Sequence, residues 1–278
     1  MVTQSEYWNG PAGEKWASLA SNQDSLLGEL GEAAMDAAGI STGQSVLDIG
    51  CGSGGSTFEI SRRIGASGTV WGVDISGPML GIAADRLESH QIENVKFSEA
   101  DVTTFDFNDH YFDIAFSRFG VMFFEDPYEA FKNINKALKK GGQLSFVCWQ
   151  QASLNPWQSL SIEVIRGFLD LPAPPPKGPG PFAFEDKSYV QDILESSNFQ
   201  EIEIMGNEEQ IIMFSGKSLK EACEDYLTIN PIVTEMLKNS ANELKEEILE
   251  ALMTKFSDFH KEEGLVFPSA TWIVTAKK

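Results

Sequence analysis

Val46-Leu47-Asp48-Ile49-Gly50-Cys51-Gly52-Ser53-Gly54-Gly55 is an apolar run that carries one carboxylate and ends in glycines. Val46 to Ile49 has the length and composition of a buried strand. The glycines let the backbone turn sharply and approach a bound group with no side chain in between. A helix begun at Gly55 directs its N-terminal amides at that group. Outward from this unit the pattern alternates: strand 46–50, helix 55–64, strand 69–73, helix 77–90, strand 94–98, strand 112–116, helix 127–139 and strand 143–149. Such alternation predicts a parallel sheet with helices on both faces.

Two readings of the bound group compete. Gly50-x-Gly52-x-x-Gly55 satisfies the dinucleotide fingerprint letter by letter. A pyrophosphate against this turn would be repelled by Asp48, whereas a phosphate-free, cationic group would be accommodated. Asp74 closes the segment Thr69-Val70-Trp71-Gly72-Val73, at the distance from the turn where a carboxylate accepts hydrogen bonds from ribose hydroxyls. Both readings share that feature, and Ser76 beside it is also a helix cap ahead of Pro78. Asp101 and Val102 follow Phe97-Ser98-Glu99-Ala100; an acid there is an acceptor for an exocyclic amine or, more blandly, a turn former. Ser117 and Arg118 emerge from strand 112–116 at the carboxyl end, where open α/β sheets hold their ligands. Gly141-Gly142 reads as the stop of helix 127–139.

These segments, taken in order from Val46 to about Trp149, resemble the class I S-adenosylmethionine-dependent methyltransferases, and among them the bacterial small-molecule enzymes related to quinone biosynthesis. The first motif of that family looks like Leu47-Asp48-Ile49-Gly50-Cys51-Gly52-Ser53-Gly54. The Asn/Asp-Pro-Pro-aromatic motif of the amino-methylating DNA and RNA enzymes does not stand where Ser117-Arg118-Phe119-Gly120 stands. The resemblance implies an α/β fold: a doubly wound, Rossmann-like, seven-stranded and mostly parallel sheet with helices on both faces and a helical cap. It implies S-adenosyl-L-methionine as cofactor. The residues expected to hold it are Trp8, Asp48, Gly50, Gly52, Asp74, Ile75, Met79, Asp101, Val102 and Ser117. Arg118, Phe119, Trp149, Trp157 and Phe182 are expected around the methyl acceptor. The function implied is methyl transfer to a small molecule at O, N, S or C; the alternatives are a cofactor-binding module or macromolecule methyltransferase, and an NAD(P)-dependent oxidoreductase.

Composition narrows the partners. With 21 Lys and Arg against 41 Asp and Glu among 278 residues, the net charge is −20, which disfavours nucleic-acid binding because phosphate neutralisation needs a basic face. Cys51, Cys148 and Cys223 form neither a Cys-x-x-Cys pair nor a disulfide framework, so a cytoplasmic protein without a metal site is expected. Residues 1–10 lack the basic and apolar regions of a secretory signal, and no run has the length of a membrane span. The partner expected is a small-molecule acceptor of apolar or aromatic character, with no nucleic acid and no membrane, and the chain is expected as a monomer or homodimer.

The organisation expected is an N-terminal helical lid over 1–43, a cofactor-binding core over 44–150, a cap insertion with a Pro-rich loop over 151–198, and the rest of the core with a helical cap insertion over 199–278. Within these parts lie a helix near 188–196, a strand at 200–205, helices near 219–230 and, with an interruption, 232–263, and a last strand at 271–276. Leu237, Ala241, Leu244, Ile248, Leu252, Phe256 and Phe259 share one helical face. Tyr7, Trp8 and Trp16 read either as a lid that lays an indole near a cation or as an anchor on the core. His90, His110 and His260 each read as structural or solvated, so the catalytic base is unknown. An acceptor that is already nucleophilic is expected.

Overall fold

The computed structural model describes residues 3–107, 109–171, 177–229, 231–238 and 240–278. By packing, the chain forms two compact units: Met1–Gln150 with Pro176–Asn207 and Thr271–Lys278, and Gln151–Pro175 with Glu208–Ala270.

The first unit opens with three helices, α1 (Gln4–Trp8), α2 (Pro11–Ser18) and α3 (Ala20–Ala37). The α/β core follows: β1 (Ser45–Ile49), α4 (Gly55–Ile64), β2 (Thr69–Asp74), α5 (Gly77–His90), β3 (Val95–Glu99), β4 (Phe112–Arg118), α6 (Pro127–Ala137) and β5 (Leu138–Trp149). Local chemistry sets these boundaries. Gly54 takes φ +85° and opens α4, and Gly65 at φ +65° closes it. Ser76 caps α5 with Pro78 in its first turn, and Asp126 caps α6 ahead of Pro127.

Past α7 (Pro156–Arg166) and α8 (Lys187–Ser196), the chain adds β6 (Gln200–Met213), α9 (Leu219–Ile229), α10 (Pro231–Lys238), α11 (Asn242–Phe256), β7 (His260–Lys261) and β8 (Gly264–Lys277). The strand order is β3-β2-β1-β4-β5-β8-β6, with β7 paired to β8 off that path. Strands β1 to β5 pair in parallel, while β8 runs antiparallel to β5, Leu144 facing Ala276 and Trp149 facing Thr271. The order reverses between β1 and β4, the switch point where a doubly wound sheet opens a crevice at its carboxyl edge. Leu47, Ile49, Ile60, Ile64, Phe112, Phe116, Phe131 and Phe146 are fully buried around the sheet. The seven-stranded, mostly parallel arrangement stands as expected, with β7 as a two-residue addition.

Several expectations change. Helix α6 ends at Ala137, not at the glycine pair, because Leu138 is already extended. Lys139 to Gly142 form an irregularity between the pairs Phe112–Leu138 and Ile114–Gln143, with Gly141 at φ +76°. The expected interrupted helix 232–263 is α10 and α11 and stops at Phe256; Phe259 lies beyond it and Ala241 is exposed at its start. Strands β6 and β8 are each 14 residues long, well beyond the spans expected. Helix α7 was not foreseen. Within the expected Pro-rich loop, residues 172–176 lie outside the described residues, and residues 177–181 hold no helix or strand.

The second unit has its own core. Phe256 meets Tyr226 and Phe267 at ring-centroid distances of 5.3 and 4.9 Å, beside the buried Cys223, Ile248 and Leu252. Asn155 joins this unit's strand edge through its side chain, donating to the Ala270 carbonyl and accepting from the Ala270 N–H, both at 3.1 Å.

Candidate functional site

The first unit gathers most of the expected cofactor residues at the carboxyl edge of β1, β2 and β4. Gly50 and Cys51 both donate their N–H groups to the Val73 carbonyl, at 2.8 and 3.1 Å, which folds the turn back onto β2. Gly50 stands at φ +63°, and a Cβ there would lie 2.8 Å from the Cα of Gly120 after β4. The two strand ends touch backbone to backbone, an approach that a side chain would prevent.

Asp74 ties this turn to β2. Its Oδ2 accepts from the Gly52 N–H at 2.7 Å and its Oδ1 from the Ser76 N–H at 2.8 Å. An ionised carboxylate has about four acceptor positions, so capacity remains for a further donor. Burial raises its pKa, with the Ser76, Gly52 and Ile75 amides pulling the other way. Ile75 follows directly, and the Met79 methyl would stand 3.0 Å from a Cβ placed on Gly52. The Ala100 N–H donates to the Asp74 carbonyl at 2.8 Å, which brings the β3 end alongside. Asp101, exposed, turns the chain there by accepting from the Thr103 N–H at 2.8 Å, and Val102 is buried beside it.

Asp48 is deeper than the sequence indicates. It is fully buried, its Oδ2 accepts from the Ser56 and Thr57 hydroxyls at 2.8 and 2.5 Å, and its Oδ1 has no hydrogen-bond partner. Burial raises its pKa to about 6, against the pull of those hydroxyls and of the Arg118 charge. A buried acceptor without a donor is costly in a folded chain and marks a place where a donor belongs.

Ser117 is in place, but its hydroxyl is engaged by the fold. It donates to the Ile49 carbonyl at 2.8 Å and accepts from the Gly120 N–H at 3.2 Å. Arg118, expected around the methyl acceptor, is engaged by an internal acid. Its guanidinium pairs with Asp24 of α3 at 2.9 Å, and its stem lies against Gly31 of the same helix. Asp24 also pairs with Arg86 at 2.8 Å, and Arg86 donates to the Ser53 carbonyl at 3.1 Å. Asp24 and Arg86 were missed by sequence reading; no motif marks either.

The N-terminal segment docks on this edge. The Asn9 side chain donates to the Ile75 carbonyl and accepts from the Gly77 N–H, both at 2.8 Å, and Ser76 Oγ donates to the Trp8 carbonyl at 2.8 Å. The Trp8 ring meets Phe123 edge-on at 5.1 Å and Trp16 at 6.2 Å. Trp8 is therefore beside the Asp74 turn. Phe119 and Trp149 stack at 4.4 Å at the ends of β4 and β5, both nearly buried, with Phe119 at φ +58°. A non-glycine residue in that region is strained and is found where geometry matters. Phe182 lies in the first unit and is half-buried, whereas Trp157 belongs to the second, where its carbonyl accepts from the Tyr226 hydroxyl. Phe184 is core, packed on Phe131 and Phe146.

Neither His90 nor His110 joins this edge. His90 stacks on Phe58 near the end of α5, His110 is within reach of the Leu138 carbonyl at the start of β4, and His260 belongs to the second unit. Among the described residues no group of His, Cys, Asp and Glu has the arrangement of a metal site, and no helix is long and apolar enough to cross a membrane.

The profile of a methyltransferase domain matches residues 46–142. That segment is similar in sequence to quinone-biosynthesis methyltransferases. A ubiquinone/menaquinone biosynthesis C-methyltransferase from Idiomarina loihiensis is 36% identical over 111 residues, 40% of this chain and 44% of that protein. Phosphoethanolamine N-methyltransferase 2 from Caenorhabditis elegans is 39% identical over 102 residues, 37% of this chain and 23% of that protein. The match thus spans less than half the length of these curated relatives. The structure of Haemonchus contortus phosphoethanolamine N-methyltransferase 2 in complex with S-adenosyl-L-methionine superposes with a TM-score of 0.61 at 19% identity, covering 100% of this chain and 60% of that one. It establishes the likeness of fold.

Proposed function

We propose that the chain is an S-adenosylmethionine-dependent methyltransferase acting on a small molecule. The observation that carries this reading is the pair of carboxylates at the glycine turn: Asp48 buried beneath it with one oxygen lacking a donor, and Asp74 gripping it with acceptor capacity left over. A pyrophosphate at this turn would meet both negative charges, whereas a nucleoside bearing a sulfonium and an ammonium complements them. The fit extends along the edge. Asp74 would hold the ribose, Asp101 and Val102 the adenine, and Gly50 and Gly52 the backbone path between; Ile75 and Met79 would pack on the nucleoside. Ser117 would contribute through its backbone.

When bound, S-adenosylmethionine supplies a methyl group activated by the adjacent sulfonium. The protein's part is then alignment and exclusion of water. Residues 1–43 act as the lid, held on the Asp74 turn by Asn9 and by the Trp8 carbonyl. The Phe119–Trp149 stack supports an apolar or aromatic acceptor. Neither His90 nor His110 stands at this edge, which supports an acceptor that needs no strong base, such as an amine, a thiol, or an ionised phenol or enol. Quinone and phosphoethanolamine methylation in the relatives lie within that range. The buried, unpaired cysteines support a cytoplasmic location. The test is release of S-adenosylhomocysteine from labelled cofactor across panels of amines, thiols, phenols and quinols. Turnover with one class supports the reading. Cofactor binding without turnover on any class favours a binding module.

A further inference from the structure

We propose that Asp24 is an internal stand-in for the carboxylate of the cofactor's amino-acid tail, and that Arg118 exchanges the one for the other. The inference rests on the nucleoside reading of the site and concerns residues that no motif of the sequence marks.

Four charged groups meet around the start of α4. Asp24 Oδ1 accepts from Arg118 Nη2 at 2.9 Å, and Asp24 Oδ2 from Arg86 Nη1 at 2.8 Å. A Cβ built on Gly55 would fall 1.9 Å from Asp24 Oδ1 and 3.0 Å from Arg118 Nη2. The carboxylate is therefore lodged on the first residue of a ten-residue helix, the end that attracts anions. The fourth group is Asp48, fully buried, whose Oδ1 lacks a donor and whose charge feels Arg118.

An α-amino acid tail complements this arrangement. Its ammonium supplies the donor that Asp48 Oδ1 lacks. Its carboxylate needs a cation and the helix end, which here hold Asp24 Oδ1. The divided contacts of Asp24 make the exchange local. Arg118 can change partner while Arg86 keeps Asp24 Oδ2 and the Ser53 carbonyl. Arg118 is only 12% exposed on its side chain, so it is costly without an anion; Asp24 serves in the unliganded chain and the tail in the liganded one. Because Asp24 lies on α3, filling the site loosens one contact of the N-terminal segment while the Asn9 contacts remain. Binding thereby carries a competition that a ligand without the tail does not meet.

The test compares S-adenosylhomocysteine, which has the tail, with 5′-methylthioadenosine, which does not, by calorimetry on the full chain. D24N removes the competing charge with little change of shape, and should tighten S-adenosylhomocysteine at least threefold while leaving 5′-methylthioadenosine within twofold. R118Q should weaken S-adenosylhomocysteine at least tenfold and again leave 5′-methylthioadenosine unchanged; R118K guards against a folding defect and should fall between. If D24N weakens both ligands equally, Asp24 is a structural tether and the exchange is wrong. If R118Q weakens both equally, the arginine does not read the tail. If the wild-type chain binds neither ligand, the nucleoside reading itself fails and takes this inference with it.

Discussion

Asp48→Asn isolates the energetics of the buried acid. In the folded chain Asp48 titrates at about 6, against an ordinary value of 3.8, and burial is the main cause. The rise is worth about 3 kcal/mol at 1.36 kcal/mol per pH unit. The sign follows from proton binding. Between the two values the folded state holds a proton that the unfolded state has lost, so stability falls as pH rises. The contribution is fully present below about pH 3.8 and lost once pH passes about 6. Asn keeps the shape, stays neutral, and can still meet the Ser56 and Thr57 hydroxyls. Asp74, also raised by burial, titrates in both proteins, and its charge adds to the rise at Asp48. Urea denaturation of ligand-free wild type and D48N between pH 4.5 and 7.5 should show the wild type losing most of that ~3 kcal/mol relative to the variant. Saturating S-adenosylhomocysteine should shrink the loss, because a cation beside Asp48 favours its charged form. Parallel pH profiles without ligand would refute the account of Asp48 as a buried acid whose charged form burial disfavours.

Other outcomes follow from the same geometry. D74A removes the acceptor for the Gly52 and Ser76 amides together with the proposed ribose contact; at about 1.5–3 kcal/mol for one charged hydrogen bond, nucleoside affinity should drop at least roughly 10- to 100-fold, measured by calorimetry. G120A places a methyl 2.8 Å from the Ile49 carbonyl oxygen and 2.9 Å from the Gly50 Cα, and overpacking of about 1–3 kcal/mol should appear in urea melts as loss of stability. Deleting residues 1–16, or N9A alone, should raise the S-adenosylhomocysteine dissociation constant beyond any change in Tm; equal affinity in a folded truncation would remove the lid. Cys51, Cys148 and Cys223 are buried with thiol pKa values raised by burial, Cys223 to about 12, so all should resist alkylation until the chain unfolds.

The parts of the fold that the sequence makes legible are those written in local chemistry. The glycine turn, the Ser76 cap and Pro78 fix α4 and α5 to the residue, because each signal acts within one helical turn. The long strands are less legible. Strand β6 alternates polar and apolar residues over Glu201-Ile202-Glu203-Ile204, the part expected, whereas Gly206-Asn207-Glu208-Glu209-Gln210 is polar and largely solvated and carries no strand signal. Helix α7 carries a start signal in Asn155-Pro156 that went unread. Within the site, Asp48 and Asp74 are legible because their spacing from the glycines is local. The Arg118 partner is not: Asp24 lies 94 residues away, and no local pattern links the two. The Ser117 hydroxyl, too, reads as free at a strand end, and only the packing of β1 against β4 shows that Ile49 and Gly120 engage it.

Calorimetric titration of the full chain at pH 7.5 with S-adenosylhomocysteine and, separately, with NADH puts the central claim to its most direct trial. The account predicts saturable one-to-one binding of the phosphate-free nucleoside and no heat from the dinucleotide. Saturation by NADH, or silence with S-adenosylhomocysteine, would contradict it.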